Sequence, residues 1–277
     1  MERKDVKISA VIITYNEERN IARCISSLQE VADEILVVDS YSEDRTQEIC
    51  ESMGVRFLQH AFEGHIQQKN YAAQKASYNH VLSLDADEAL SLELAEQVQQ
   101  IKQNFNQDAY RFNRLTNYCG KWIRHCGWYP DTKLRLWDRR KGQWGGRNPH
   151  DSVKMQPGSK VRHIGANILH YSFYSVAQHL KQIDKFTTIM AQEKYQDGKK
   201  VTPFFHLIIK PLFFFLQRYI FRLGFLDGYE GFIVCKNGAY YKFIQYVKLR
   251  ELWQGEESTT YDKSPVQSSS HQKEVET

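Results

Sequence analysis

The chain lacks the signatures of several common chemistries. No Gly-x-Gly-x-x-Gly follows its first apolar run, which argues against a dinucleotide site. No Walker lysine loop occurs, so the usual nucleoside-triphosphatase cradle is missing. The five cysteines, at 24, 50, 119, 126 and 235, are odd in number and scattered, and no Cys-x-x-Cys suggests zinc. Cys119, His125 and Cys126 could ligate a metal, but reduced thiols are the simpler reading. Met-Glu-Arg-Lys-Asp-Val at the start has no apolar core, so no signal peptide is expected. The uncharged runs fall short of the roughly 20 residues of a spanning helix.

What is present fits a globular protein. With 277 residues, 25% charged and 42% hydrophobic, the chain suits one large α/β domain, or a domain plus an appendage. Aromatics reach 13% and crowd into the second half. The overall charge of +4 is uneven: residues 111–163 hold 13 Lys/Arg against Asp131, Asp138 and Asp151. That excess implies an anionic partner: a phosphate, an acidic glycan, an anionic membrane or nucleic acid. No recognised nucleic-acid module accompanies it, and no nucleic-acid partner is expected.

Apolar periodicity predicts the elements. Ile8–Thr14, Ile35–Val38, Val55–Leu58 and Val81–Leu84 read as buried strands, with helices over 21–28, 46–53, 66–76 and 92–105. Ser42 or Asp44 could cap the second helix. This alternation predicts a doubly wound parallel sheet whose strand ends bring Thr14 to Glu17, Asp39 and Asp85 to Glu88 to one edge. From Tyr110 the pattern changes. Tyr110–Leu115 and Thr132–Trp137 alternate like half-buried antiparallel strands, Gly142–Pro149 reads as a loop, and Val161–Leu169 as a further strand. Ser175–Lys194 predicts an amphipathic helix facing inward through Val176, Leu180, Ile183, Phe186 and Ile189. Phe204–Leu226 is the most apolar segment, interrupted by Lys210, Arg218 and Arg222. It suits a helix lying in a membrane interface, the alternative being a buried helix pair broken at Pro211. Tyr229–Leu252 predicts another helix, and the chain from Gly255 a patternless disordered tail.

Val81 to Glu88 carries the chemistry. Its apolar residues end in Asp85, Asp87 and Glu88, carboxylates that are costly to bury without cations. Strand alternation would turn Asp85 and Asp87 to one side, where two hard oxygen ligands suit Mg²⁺ or Mn²⁺. The alternative is an acidic turn that caps the helix after Leu90.

Four motifs stand in order over the first hundred residues: Ile-Ile-Thr-Tyr-Asn-Glu-Glu (12–18), Val-Val-Asp-Ser-Tyr-Ser-Glu-Asp-Arg-Thr (37–46), Gln-Lys-Asn (68–70) and Leu-Asp-Ala-Asp-Glu (84–88). Together they resemble the family 2 glycosyltransferases with the GT-A fold. Trp128-Tyr129-Pro130-Asp131, Leu134-Arg135-Leu136, Pro149-His150-Asp151, His170-Tyr171-Ser172 and Gly224 to Gly231 narrow the resemblance to the β-glucosyltransferases that extend the lipopolysaccharide or lipooligosaccharide inner core.

The resemblance implies an α/β GT-A fold, a Rossmann-like mixed sheet, with a helical C-terminal membrane-associating appendage. Its catalytic domain would span 1–173, with a nucleotide half at 1–107 and an acceptor half at 108–173. A helical region at 174–254 and a disordered tail at 255–277 would follow. The implied function is inverting transfer of a hexose, glucose from UDP-glucose, to a lipid-linked inner-core acceptor. It would occur at the cytoplasmic face of the inner membrane, with the protein attached peripherally. Thr14, Asn16, Glu17, Asp39, Lys69, Asp85 and Ala86 would contact the nucleotide sugar. Asp87 would be the main ligand of Mg²⁺ or Mn²⁺; Asp85 would contact the ribose or the metal, and His170 is either a third ligand or a core histidine. Asp151 is the expected base, with Asp131 its competitor. The family pattern is His-Glu where this chain has His150-Asp151, one methylene shorter. Arg135, Arg139, Arg140 and Arg147 would meet acceptor phosphates or form a solvated basic face. The rival functions are transfer to another lipid-linked glycan or protein, and nucleotide-sugar binding without turnover.

Overall fold

The computed structural model describes residues 5–147 and 150–261. Strand β1 (Ile8–Thr14) is β-branched and almost wholly buried. Helix α1 (Ile21–Leu28) buries Ile21, Cys24, Ile25 and Leu28, the three-and-four spacing of one helical face. Then come β2 (Glu34–Asp39), α2 (Thr46–Ser52), β3 (Arg56–Gln59), α3 (His65–Lys75) and β4 (His80–Asp85). Asp44, not Ser42, serves the start of α2: its carboxylate accepts the Thr46 N–H at 2.9 Å. These four strands run parallel in the order β3-β2-β1-β4.

The sheet then becomes mixed. After β5 (Glu88–Leu90) and α4 (Leu92–Gln103) come β6 (Ala109–Tyr118), β7 (Lys121–Ile123), β8 (Asp131–Asp138), β9 (Gly142–Arg147), β10 (His150–Met155) and β11 (Val161–Phe173). The order continues β8-β6-β11-β5. β8 is antiparallel to β4 and β6, β11 is parallel to β6, and β5 is antiparallel to β11. Ser91, not the acidic turn, caps α4, its hydroxyl accepting the Leu94 N–H at 3.1 Å.

The expected antiparallel pairing of these strands is present, and two other expectations for this half need adjusting. β6 is mostly buried, and in β8 the burial is not alternating but falls on the last four residues. The expected loop at 142–149 is largely strand: β9 pairs antiparallel with β10. Its glycines resemble a turn, but Trp144 is buried, its ring 6.0 Å from that of Trp137 in an edge-to-face contact. This hairpin covers one face of the sheet, which is why β8 has no exposed side there.

The C-terminal layer comprises α5 (Val176–Gln196), α6 (Lys210–Leu216) and α7 (Gly228–Tyr261). The buried stripe of α5 is His179, Ile183, Thr187 and Ala191. Of the expected apolar face only Ile183 belongs to it, and Val176 and Leu180 are exposed. Smaller and polar residues there let α5 pack along α7. Wider π-helical turns, Phe204–Ile209 and Gln217–Phe221, flank α6, so Pro211 sits in its first turn without breaking the helix. Phe204–Phe221 is long and apolar enough to cross a membrane by length and composition; none of its residues is fully buried, while Leu207, Phe215 and Tyr219 pack partly against the chain. One side of the segment is thus covered and the other exposed, unlike a buried helix pair. α7 continues past Gly255, where composition placed the start of the tail, to Tyr261; residues 262–277 lie outside the described residues.

Candidate active site

The strand ends meet as the alternation requires. Thr14 is in register with Asp39, and Ile13 with Asp85. A cleft of about 400 Å³ opens at this edge, lined by eight of the eleven residues singled out from sequence: Thr14, Glu17, Lys69, Asp85, Ala86, Asp87, Asp151 and His170. Asn16, Asp39 and Asp131 are not in its lining.

Asn16 and Asp39 build the wall behind the cleft. Asp39 is fully buried and accepts the Ser42 N–H at 2.8 Å and its hydroxyl at 2.5 Å. Ser42 in turn accepts the Asn16 N–H at 2.8 Å, and the Asn16 side-chain oxygen accepts the Glu43 N–H at 2.8 Å. The loops after β1 and β2 are thus clamped together. Asn16 tolerates the positive φ of 53° that this requires. Thr14 presents a hydroxyl that is buried without a hydrogen-bond partner among the described residues, a gap that a bound ligand would fill. Burial pushes the Glu17 carboxyl up to about 7, against a hydrogen bond from Asn20 at 2.7 Å that favours the ionised form.

Beneath the cleft lies a network of charges. Lys69, only 4% exposed, donates to Asp85 at 2.9 Å and to Asp151 at 2.8 Å, with the Trp144 ring 4.5 Å away. Arg135, 2% exposed, reaches Asp85 at 2.9 Å and Glu88 at 2.8 Å. Arg114 joins Glu88 at 3.3 Å to Asp131 at 2.7 Å, and Lys133 meets Asp131 at 3.0 Å. Although burial opposes it, Lys69 and Arg135 hold the Asp85 carboxyl well below the usual carboxylate range. Arg114 and Lys133 likewise keep Asp131 low against its burial.

Two sequence expectations need correcting. β4 ends at Asp85, and Ala86–Asp87 form a turn, so strand alternation does not extend to Asp87. Asp85 turns to Lys69 and Arg135, whereas Asp87 turns to His170, with Oδ2 to Nε2 at 3.1 Å. Asp85 is therefore already matched by two cations and is not placed as a metal ligand beside Asp87. Nor do the arginines form one acceptor-facing row. Arg135 is buried under Asp85, Arg139 donates to the Ala73 and Ala76 carbonyls at the end of α3, and Arg140 pairs with Asp138. The side chain of Arg147 lies outside the described residues, as does Pro149. His125 and Cys126 turn to Asp227, at 2.9 and 3.8 Å.

Among these five carboxylates (Asp85, Asp87, Glu88, Asp131 and Asp151), only Asp87 lacks a Lys or Arg within ion-pair distance among the described residues. One uncompensated carboxylate beside an imidazole, open to a cleft, fits a divalent cation that completes its shell with water and phosphate oxygens. No group of three or more His, Cys, Asp or Glu poised to hold a metal occurs among the described residues.

Sequence reasoning missed Arg114, Phe62 and His65, which also line the cleft, and the inward role of Glu88. Phe62 and His65 carry no motif. Glu88 had a usable signal, as the third carboxylate of a buried strand turn facing a basic middle segment. A recess of about 280 Å³ adjoins the cleft, sharing Lys69, Asp85, Arg114 and Asp151 and adding Lys133, Arg135 and Trp144.

Residues 9–160 match the family described as Glycosyl transferase family 2. An uncharacterized glycosyltransferase of Rickettsia typhi is 31% identical over 256 residues, covering 89% of this chain and 87% of its own. The lipopolysaccharide core biosynthesis glycosyltransferase LpsC of Rhizobium meliloti is 29% identical over 255 residues, covering 87% and 91%. Among solved structures, the mannosyltransferase PcManGT of Pyrobaculum calidifontis, in complex with GDP-Man and Mn²⁺, superposes with a TM-score of 0.52 at 15% identity. It covers 91% of this chain and 88% of its own.

Proposed function

The chain belongs to glycosyltransferase family 2, and on that premise we propose that it transfers glucose from UDP-glucose, with inversion, to a lipid-linked lipopolysaccharide inner-core acceptor. The observation that carries this reading is the uncompensated Asp87–His170 pair in the same cleft as Asp151. The relative named for lipopolysaccharide core biosynthesis supports the acceptor class.

Asp87 and His170 would hold Mg²⁺ or Mn²⁺, which when bound would supply positive charge to the leaving diphosphate. Thr14 and Glu17 contact the nucleotide end of the donor, the Thr14 hydroxyl gaining the partner it lacks. Asp151 takes the proton of the acceptor hydroxyl as its oxygen attacks the anomeric carbon from the face opposite the diphosphate. Direct displacement of this kind turns an α-linked donor into a β product. Lys69 grips one oxygen of Asp151, fixing the carboxylate, and Asp85 and Arg135 fix Lys69 in turn. The exposed apolar segment Phe204–Phe221 would set the enzyme on the cytoplasmic face of the inner membrane, beside its lipid-linked acceptor.

The test is a transfer assay with a panel of nucleotide sugars, with and without Mn²⁺ or Mg²⁺, on truncated core acceptor. Metal-dependent transfer from UDP-glucose is expected, falling about 10²–10⁴-fold in Asp151→Asn and by a similar factor in Asp87→Ala. Full activity in Asp151→Asn would remove the base, and metal-independent transfer would remove the cation.

A further inference from the structure

Four cations face one another inside the helical layer: Lys194 of α5, Lys210 of α6, Arg218 just beyond it and Lys242 of α7. All are half-buried. None has a carboxylate within ion-pair distance among the described residues; the nearby Lys248 and His125 take Asp184 and Asp227 instead. The four rest on aromatic rings. Arg218 and Lys242 lie over Phe214 at 5.2 and 5.5 Å, and Lys210 and Lys194 over Tyr246 at 4.7 and 5.7 Å. Such faces soften the charge without neutralising it. Burial, and then Lys210, Lys194 and Arg218, push the Lys242 ammonium down from its ordinary value.

Arg218 and Lys242 border a cavity of about 350 Å³ between the Cys126–Trp128 loop, α5 and α7. One wall is polar: the His179 Nδ1 lies 3.1 Å from the Tyr118 hydroxyl and 3.0 Å from the Asn237 Nδ2. Burial holds His179 neutral, at about 4. The Arg218 Nε is buried with no hydrogen-bond partner among the described residues. Two glycines make room for this lining. A Cβ on Gly127 would stand 1.8 Å from the Arg218 guanidinium, and one on Gly238 2.6 Å from the Phe214 ring. On the outer side of the same helical segment, Phe204, Phe205, Ile208, Leu212, Phe213 and Phe221 are 50–77% exposed.

Lys210 donates to the Tyr246 hydroxyl and Arg218 to the Cys126 and Gly127 carbonyls, all neutral acceptors. A cavity with unneutralised cations, walled on one side by a helical segment whose outer face is an exposed aromatic ridge, suits a ligand with an anionic head and apolar tails. We propose that it receives the phosphodiester headgroup of an anionic membrane phospholipid, whose acyl chains run along Phe204–Phe221. The phosphate oxygens accept from Lys242 and Arg218 and relieve the repulsion among the four cations. The site lies apart from the donor cleft, sharing no lining residue with it. The inference rests on the membrane-facing reading of this segment and is independent of the donor sugar.

The full chain is tested by sedimentation with phosphatidylcholine vesicles, with and without phosphatidylglycerol. Lys210→Gln/Lys242→Gln is compared with Lys181→Gln/Lys185→Gln, an equal charge change on the exposed face of α5. Thermal melts check that both variants fold. Partition onto phosphatidylglycerol vesicles should fall about thirty-fold in the first variant and far less in the second. Equal losses in both would mean diffuse attraction and overturn the site. So would unchanged binding by the first variant. Equal binding of the wild-type chain to neutral and anionic vesicles would overturn the headgroup site but leave the membrane-facing helix standing. Binding to neither would sink both, with the transfer assay still free to support the donor reading.

Discussion

Around β4, Lys69, Arg114, Lys133 and Arg135 each meet at least one carboxylate, whereas across α5 to α7 Lys194, Lys210, Arg218 and Lys242 meet none among the described residues. The first group lies under a sheet edge, where an unmatched charge is costly, so the chain supplies its own counter-ions. The second lies under a helical layer whose outer face is apolar and uncovered. In each region the leftover charge points to the ligand. Among the carboxylates around β4 it is Asp87, which would suit a cation. In the helical layer it is a set of ammonium and guanidinium groups, which calls for an anion.

The sharpest way to break this contrast is to unbalance the first region. Glu88 is 1% exposed and accepts from both Arg114 and Arg135. Glu88→Ala leaves Arg135 buried with less than its full charge match and should lower folding stability by about 3–5 kcal/mol. Urea unfolding measures it. A loss under about 1 kcal/mol would mean that water already reaches this network and that the cleft charges are not internally compensated.

The fold of the first hundred residues was legible because its signals are local. Apolar runs such as Ile8–Thr14 admit one reading, and the topology follows from their alternation with helices. The site was legible in which residues gather, less so in which way they turn. Asp85 and Asp87 are two apart in sequence, but the strand stops between them, and no periodicity shows that stop. Arg135 looked like a surface cation because its alternation with Leu134 and Leu136 hid a strand covered on both sides. The covering hairpin was itself concealed by its glycines. The buried stripe of α5 was missed for a related reason: His179 and Thr187 face inward because α7 passes close, a tertiary fact absent from the hydropathy of α5.

A smaller effect separates the two regions by pH. The Glu17 carboxyl sits at about 7, raised from 4.5 by burial, with Asp87 nearby adding to the rise. The folded chain therefore holds a proton that the unfolded chain has lost. Its stabilising contribution is complete below about 4.5 and fades as pH rises through about 7. Between those values the wild-type chain should lose on the order of 2 kcal/mol relative to Glu17→Gln, read as a divergence of melting temperatures. Mn²⁺ bound at Asp87 would offset the neighbouring negative charge and reduce that divergence. Parallel pH curves for the two chains would show that Glu17 is ionised throughout and solvated by the cleft.

The smallest effect is the most telling for the second region. Lys242→Gln removes a cation that rests on Phe214 and is repelled by Lys210, Lys194 and Arg218. The lost ring contact costs about 0.5–1 kcal/mol, and relief of repulsion returns a similar amount. Folding stability should therefore stay within about 0.5 kcal/mol of the wild-type chain, or rise slightly. Glu88→Ala and Lys242→Gln each remove one charge from a buried or half-buried position, yet the first should be severe and the second nearly silent in unfolding experiments. If Lys242→Gln instead cost several kcal/mol, the cation would be a structural part of the helical layer, and its lack of a carboxylate would no longer point to an external anion.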